Sequence, residues 1–436
     1  MMKLVLQLIL FYVCSKQVKR SCDCTSESDD LWDDCSYQRL SSELNESQNN
    51  AIRDCLSGIH CDHNSTVKLI WGPPGTGKTK TLGTLLFLLL KMKYRILVCA
   101  PTNIAIKEIA SRMLNIVRES LCGQMGDLFC SPGDMLLFGN NDRLDVRGED
   151  IEDIFLDNRV QQLRECLSTY TGWRHCFESM ISLLNSCVSD YHVVENEMIR
   201  MKRQGTKGFQ QKSFREFLRE RFHSRALQLK DCISMLCTHV PMGHILEHNY
   251  RYLVCLNEAV DSFQETLFQD NLTSDELKTL FSNLIVLDDS SWYFENGAAQ
   301  KLIKKRNEFL SALEIVKHSL DRVDWTRFTK DESIRDFCFE NSSIIFCTTS
   351  TSFRLHKVSM KPMNLLVIDE ASQLKECESI LPLQLPGINH AILVGDECQL
   401  SSMVRSNVSI YLTYFAVNEF FILNPFLFVT RDCFLF

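Results

Sequence analysis

An α/β fold, a parallel sheet wrapped by helices, is the class this sequence predicts, and three observations predict it. Five short apolar runs, "VKLIW", "RILVCA", "SIIFCT", "NLLVI" and "AILVG", are unbroken rather than alternating. That is the pattern of strands buried on both faces, as parallel sheets require. A glycine-rich or polar cluster follows each run at once. The first run is also followed by "TLGTLLFLLLKMK", an amphipathic-to-apolar stretch that reads as a helix crossing back over the sheet.

The 436 residues are enough for two or three domains, and the 45% apolar content fits a folded globular chain. A net charge of −8 excludes a uniformly basic nucleic-acid binder, so any such contact must come from a local patch. The 20 cysteines include no C-x-x-C; Cys22-x-Cys24 and the group Cys55, Cys61 and His63 are only loose matches to zinc spacing. Cys99, Cys347 and Cys398 lie in or beside apolar runs and read as buried thiols of a reducing compartment.

Residues 1–40 are the first segment. Its opening, "MMKLVLQLILFYVCS", has the charge and length of a short signal peptide, and equally of a buried strand or helix. Five glycosylation sequons (Asn45, Asn64, Asn271, Asn341, Asn407) do not argue for secretion, because Asn45 and Asn407 fall inside the motifs below. An intracellular protein is expected.

Residues 41–117 read as the first part of the sheet domain. Gln48, in "LNESQNNAI", carries a carboxamide able to pair with the N6 and N7 edge of adenine. Then Gly72, Pro73, Pro74, Gly75, Thr76, Gly77, Lys78 and Thr79 fit G-x-x-x-x-G-K-[ST] in full, between strand and helix as that motif demands. Glycines let backbone N–H groups turn inward to cradle phosphate, and the helix N-terminus adds favourable partial charge. Lys78 would reach the β- and γ-phosphates and Thr79 would hold Mg²⁺, with Lys80 beside them. The next run, "YRILVCAPTN", ends in Thr102 and Asn103.

The stretch between Lys78 and Asp369 is far longer than a minimal nucleotide-binding core needs, so residues 118–340 are predicted as a mainly helical insertion. "DRLDVRGEDIEDIFLDN" marks an acidic entrance. Leu302, Phe309, Leu313, Val316 and Leu320 recur at helical spacing, and Thr273 with Glu276 forms a capping box. Residues 200–230 hold ten Lys or Arg against two Glu, interleaved with Phe209, Phe214, Phe217 and Phe222. That pattern fits a nucleic-acid arm, and equally a solvated basic helix whose Phe face is core.

Residues 341–409 read as the second part of the sheet domain. "SSIIFCTTSTS" ends in Thr348, Thr349 and Ser350. "NLLVIDEASQL" brings Asp369 to the carboxyl end of a strand, where α/β sheets bind ligands, to hold Mg²⁺. Glu370 is then placed to orient or deprotonate the attacking water. "HAILVGDECQL" ends in Asp396 and Gln399.

Gln48, "GPPGTGKT", "APTNIAI", "FCTTS", "VIDEAS" and "GDECQL" stand in the order seen in superfamily 1 RNA/DNA helicases. Over residues 44–115 and 341–409 the chain resembles the branch holding senataxin and the nonsense-mediated-decay helicase, particularly plant senataxin-like members. The resemblance implies a RecA-like P-loop NTPase lobe, ATP and Mg²⁺ as cofactors, and single-stranded RNA or DNA as partner. RNA-processing proteins as further partners and nuclear placement are implied in the same way. It implies adenine contact at Gln48 and ATP–Mg²⁺ contact at Lys78, Thr79, Asp369 and Glu370. It implies γ-phosphate sensing at Gln399 and strand-backbone contact at Thr102, Asn103, Thr348 and Thr349. Ser401 stands where the family usually has Pro.

Such helicases use a second RecA-like lobe, whose arginines stabilise the transferring phosphoryl group. No such lobe is recognisable after residue 409, and residues 410–436 form an apolar, aromatic-rich tail unlike the family. The expectation is a chain that binds ATP–Mg²⁺ and a single strand but hydrolyses ATP poorly by itself. The alternatives are a non-catalytic binding fragment and, against the helicase motifs, another P-loop ATPase.

Overall fold

The structure, a computed structural model, describes residues 35–59, 65–122, 130–203, 212–245, 247–282, 297–322, 325, 328 and 330–396. These residues fall into two compact units: one drawn from Met1–Val160 and Arg335–Phe436, the other Gln161–Ile334.

The first unit is built on six parallel strands: β1 (Thr66–Trp71), β2 (Ile96–Ala100), β3 (Met135–Leu137), β4 (Ile344–Thr348), β5 (Leu365–Ile368) and β6 (His390–Gly395). Their order across the sheet is β1-β6-β5-β2-β4-β3. The five apolar runs all become strands, and β2, β4, β5 and β6 are buried throughout. Register puts Trp71 opposite Gly395, Ile368 opposite Leu393, and Ala100 opposite Thr348. Every strand therefore ends at one rim, and the polar clusters behind the strands gather there. Among the described residues, no helix is long and apolar enough to cross a membrane.

The edge strand β3 comes from inside the range predicted as insertion. It is too short to announce itself by composition, and a buried arginine fixes it. Arg159 is fully buried and donates to the carbonyls of Gly133 (3.0 Å) and Pro132 (2.8 Å), in the 3-10 turn that feeds β3. Burial lowers its pKa, opposed by Cys338, Asp134 and Asp153. Arg159→Met leaves two buried carbonyls without their charged donor, so a loss of about 2–5 kcal/mol is expected. A urea-denaturation midpoint unchanged in the variant would contradict that reading.

The second unit is helical: Trp173–Arg203, Phe214–His239, Glu247–Phe268, Ser274–Ser282 and Gly297–Asp321 are its long members. Leu302, Phe309, Leu313, Val316 and Leu320 line the buried face of the last. Phe222, Phe263 and Phe309 meet with ring centroids 5.1–6.4 Å apart. The Thr273 capping box forms, with Glu276 accepting from Thr273 N at 2.7 Å and returning its own N–H to Thr273 Oγ1 at 3.3 Å.

The basic stretch of residues 200–230 resolves toward core. Phe214, Phe217 and Phe222 are buried, while Phe209 lies outside the described residues. Arg215 and Arg219 pair with Asp270, Lys212 with Glu220, and Lys230 with Asp261.

Candidate nucleotide site at the sheet rim

The glycine loop leaves the end of β1 and enters the helix Lys78–Lys91. Gly75 and Gly77 both have φ +80°, a left-handed backbone that only glycine adopts without strain. Gly77 is the N-cap of the helix, so the bend that opens the cradle also aims the first-turn N–H groups into it. Thr76 Oγ1 donates to Pro73 O at 2.8 Å and closes the turn. Lys78 is buried, and its Nζ lies 2.9 Å from Gly72 O and 3.3 Å from Pro73 O. The ammonium is thus held inside the loop by backbone carbonyls.

Gln48 belongs to this loop physically. It lies in the helix Glu46–Ile59 and is buried. Its Nε2 donates to Thr76 O at 2.9 Å, and its Oε1 accepts from Asn45 N at 3.0 Å. Asn45 Oδ1 in turn accepts from Gln48 N at 2.8 Å, capping the helix. A Cβ on Gly77 would stand 2.6 Å from Gln48 Nε2, so the glycine also makes room for this amide. The role of Asn45 escaped the sequence reading; its signal is an Asn three residues before a Gln at a helix start. Lys80 turns toward the same segment, donating to Glu43 O at 2.7 Å and pairing with Glu43 Oε2 at 3.3 Å.

The acidic pair stands at the end of β5, two strands from β1. Asp369 is anchored by its N–H to Cys99 O at 2.9 Å. Its side chain is 5% exposed, and its Oδ1 is buried without a hydrogen-bond partner. Burial is the main cause that lifts its pKa to about 7; the Glu370 charge adds to this and the Lys78 charge opposes it. That opposition places the loop lysine within electrostatic reach of the acid. An orphaned, desolvated carboxylate oxygen at the rim that also carries the glycine loop fits a divalent cation, which Asp369 and the Thr79 hydroxyl would hold.

Glu370 has φ +49°, a left-handed conformation rare outside glycine. Such strain persists where the surroundings impose it. Gln373 imposes part of it, its N–H on Glu370 O (3.0 Å) and its Nε2 on Glu370 Oε2 (3.0 Å). Between loop and acids lies the end of β6. Gly72 N reaches Gly395 O at 3.4 Å, and a Cβ on Gly395 would come within 3.3 Å of the Ala371 and Ser372 nitrogens. Asp396, just beyond, is buried. Gln399 and Ser401 lie outside the described residues.

The remaining polar strand ends differ among themselves. Thr102 is exposed, and its Oγ1 accepts from Ala105 N at 3.2 Å to cap the helix Asn103–Cys122. Asn103 Nδ2 donates to Arg143 O at 3.0 Å. Thr348 shares a 2.7 Å contact with Thr351 Oγ1. Thr349 is fully buried with its hydroxyl unpartnered, and the exposed position is its neighbour Ser350. Among the described residues no group of three or more His, Cys, Asp or Glu is placed to hold a metal, and Cys55 is buried in the core; Cys22, Cys24, Cys61 and His63 lie outside them.

A parallel sheet that feeds a closed glycine loop at β1 and an acid pair at β5 defines a class: this is a RecA-like P-loop lobe. The chain belongs to the AAA domain family, whose model matches residues 43–407, and it is similar to superfamily 1 helicases of the nonsense-mediated-decay and senataxin-like branch. It is 33% identical over 128 residues to the Regulator of nonsense transcripts 1 homolog of Arabidopsis thaliana, a match covering 28% of this chain and 9% of that protein. It is 43% identical over 75 residues to the ATP-dependent helicase NAM7 of Saccharomyces cerevisiae, covering 17% and 7% respectively. The DNA polymerase alpha-associated DNA helicase A of the same yeast is 36% identical over 93 residues, covering 21% and 13%. The chain thus matches about a tenth of the length of these relatives.

Proposed function

We propose that this chain binds ATP with Mg²⁺ at the rim and couples its hydrolysis to single-stranded RNA or DNA. The observation that carries this reading is one sheet rim that holds both the buried Lys78 of the glycine loop after β1 and the buried, unpartnered Asp369 carboxylate after β5. Lys78 meets the β- and γ-phosphates, and the N–H groups of residues 75–79 surround them. Asp369 and Thr79 would hold the Mg²⁺, which would neutralise charge on the phosphates. Glu370, fixed by Gln373, takes the proton of the attacking water. Gln48 has a choice of partners: its Nε2 can leave Thr76 O for the adenine edge, so base and phosphate recognition share one amide. Gln399, in the "GDECQL" motif, is the proposed sensor of the outermost phosphate. Thr102, Asn103 and the turn after Thr348 and Thr349 offer short polar groups to a sugar–phosphate strand.

Glu370→Gln tests the reading. Nucleic-acid-stimulated ATP turnover is expected to fall by about 10²–10⁴-fold, the usual worth of a general base, while binding of a fluorescent ATP analogue is retained. Turnover of the unaltered chain no higher than that of Lys78→Ala would leave a non-catalytic binding fragment as the function. Stimulation by poly(U) and by poly(dT), compared at equal salt, separates RNA from DNA.

A further inference from the structure

From residue 341 to residue 368 the sequence holds no Asp or Glu but carries Arg354, His356, Lys357 and Lys361, in a chain of net charge −8. This acid-free run includes β4 and the 3-10 helix Ser352–Lys357 directly beyond the rim. Ser352 and Leu355 are that helix's buried residues, so Phe353, Arg354, His356 and Lys357 face outward. Phe353 is 49% exposed. The helix is fastened in place. Ser352 Oγ donates to Thr349 O at 2.7 Å, and Thr351 Oγ1 meets Thr348 Oγ1 at 2.7 Å. The Arg354 guanidinium lies over the Phe138 ring at 5.4 Å. Beyond the neighbouring strand β2, the helix Asn103–Cys122 opens with Ile104, 79% exposed. The ends of β2 and β4 thus each present a large apolar side chain to water beside short polar groups.

Charge separates this surface from the basic helix of the second unit. There Lys212, Arg215, Arg219 and Lys230 are matched by Glu220, Asp270 and Asp261, and Phe214, Phe217 and Phe222 are buried. On the first unit's helix Asn103–Cys122, Lys107 is likewise matched by Glu149 and Arg118 by Asp153. Lys357 and Lys361 have no ion pair among the described residues and are exposed. An outward ring beside unmatched cations suits a polyanion with π-faces. Single-stranded nucleic acid has both, whereas a duplex hides its bases.

We propose that Phe353, with Arg354, Lys357 and Lys361, forms a single-strand platform at the end of β4, the ring stacking on an unpaired base and the cations meeting its flanking phosphates. The platform rests on the nucleic-acid reading given above and deepens it: it assigns a base-stacking contact where the sequence motifs supply only backbone contacts.

The test uses the full chain and a fluorescein-labelled oligo(dT) of about 15 nucleotides, matched by oligo(U). Phe353→Ala is expected to weaken binding roughly 5- to 150-fold, the measured span for one stacked base. Phe353→Trp should keep affinity and show indole quenching on titration. Lys357→Ala with Lys361→Ala should lower the slope of log K against log salt by about 1.4, two phosphate contacts at about 0.7 each. An abasic oligonucleotide should erase the difference between Phe353→Ala and the unaltered chain. ATP-analogue binding should be the same in all variants. If the unaltered chain binds no oligonucleotide, the nucleic-acid reading itself fails. If it binds and the Phe353 and Lys variants bind equally well, the platform is overturned while that reading stands.

Discussion

Lys78→Ala is expected to weaken ATP–Mg²⁺ binding by about 10²–10⁴-fold, the loss of two charge-assisted hydrogen bonds to phosphate at about 1.5–3 kcal/mol each. The geometry explains why the effect should be so large. The lysine is buried, and two backbone carbonyls of its own loop already orient it, so it loses little freedom on meeting the ligand. Removing it also deprives those carbonyls of a donor, which should lower the melting temperature slightly. Titration with a fluorescent ATP analogue, alongside a circular-dichroism melt, keeps the two effects apart. A dissociation constant within threefold of the unaltered chain's, in a folded variant, would refute the phosphate grip.

The parts of this site that the sequence announces are those set by local chemistry. A glycine loop between strand and helix can be read because both φ +80° positions demand glycine. The apolar runs can be read because a strand buried on both faces admits little else. Sheet order is different: β6 lies between β1 and β5 only through long-range pairing, which leaves no trace in either strand's neighbours. β3 is hidden for a related reason. Its three residues gain a place in the sheet from Arg159, a distant side chain bonded to the turn before it. The left-handed backbone of Glu370 is equally silent in composition, since it is imposed by what packs around it.

Charge proves harder to read than fold. Counting Lys and Arg along the chain draws attention to residues 200–230, yet acids from elsewhere in that unit pair with Arg215, Arg219 and Lys230. The acidic entrance works in the same way. Glu149, Asp150 and Asp153 pair with Lys107, Ser111 and Arg118 on the helix after β2. What remains to meet a ligand is the charge left unmatched, and only the fold shows which that is. Thr349 gives the same lesson for polar groups. Its neighbour Ser350 is exposed while Thr349 is sealed inside, because the β4 end turns there and Thr349 N–H bonds Ala100 O at 2.9 Å.

Asp369→Asn is expected to make the ligand-free protein more stable and the ligand-bound protein weaker. In the folded chain burial lifts the carboxyl to about 7 from an ordinary value of 3.8, because the ionised form loses water and its Oδ1 gains no donor. The folded state therefore binds the proton more tightly than the unfolded chain does. Ionisation costs stability progressively as pH rises from about 4 to about 7, and that cost persists above 7. At about 1.4 kcal/mol per pH unit, the span corresponds to at most about 4 kcal/mol. The amide has no such cost, so the Asn variant should melt near the unaltered chain at pH 4 and several degrees above it at pH 8. Adding ATP with Mg²⁺ should reverse the order. A ligand at a thousand times its dissociation constant stabilises the unaltered chain by about 4.1 kcal/mol, and the variant, lacking the cation's anchor, should gain far less. Thermal melts at both pH values, with and without Mg²⁺-nucleotide, decide it. An Asn variant no more stable than the unaltered chain at pH 8 would mean that Asp369 is already compensated, and the fit of a divalent cation to its free oxygen would lose its basis.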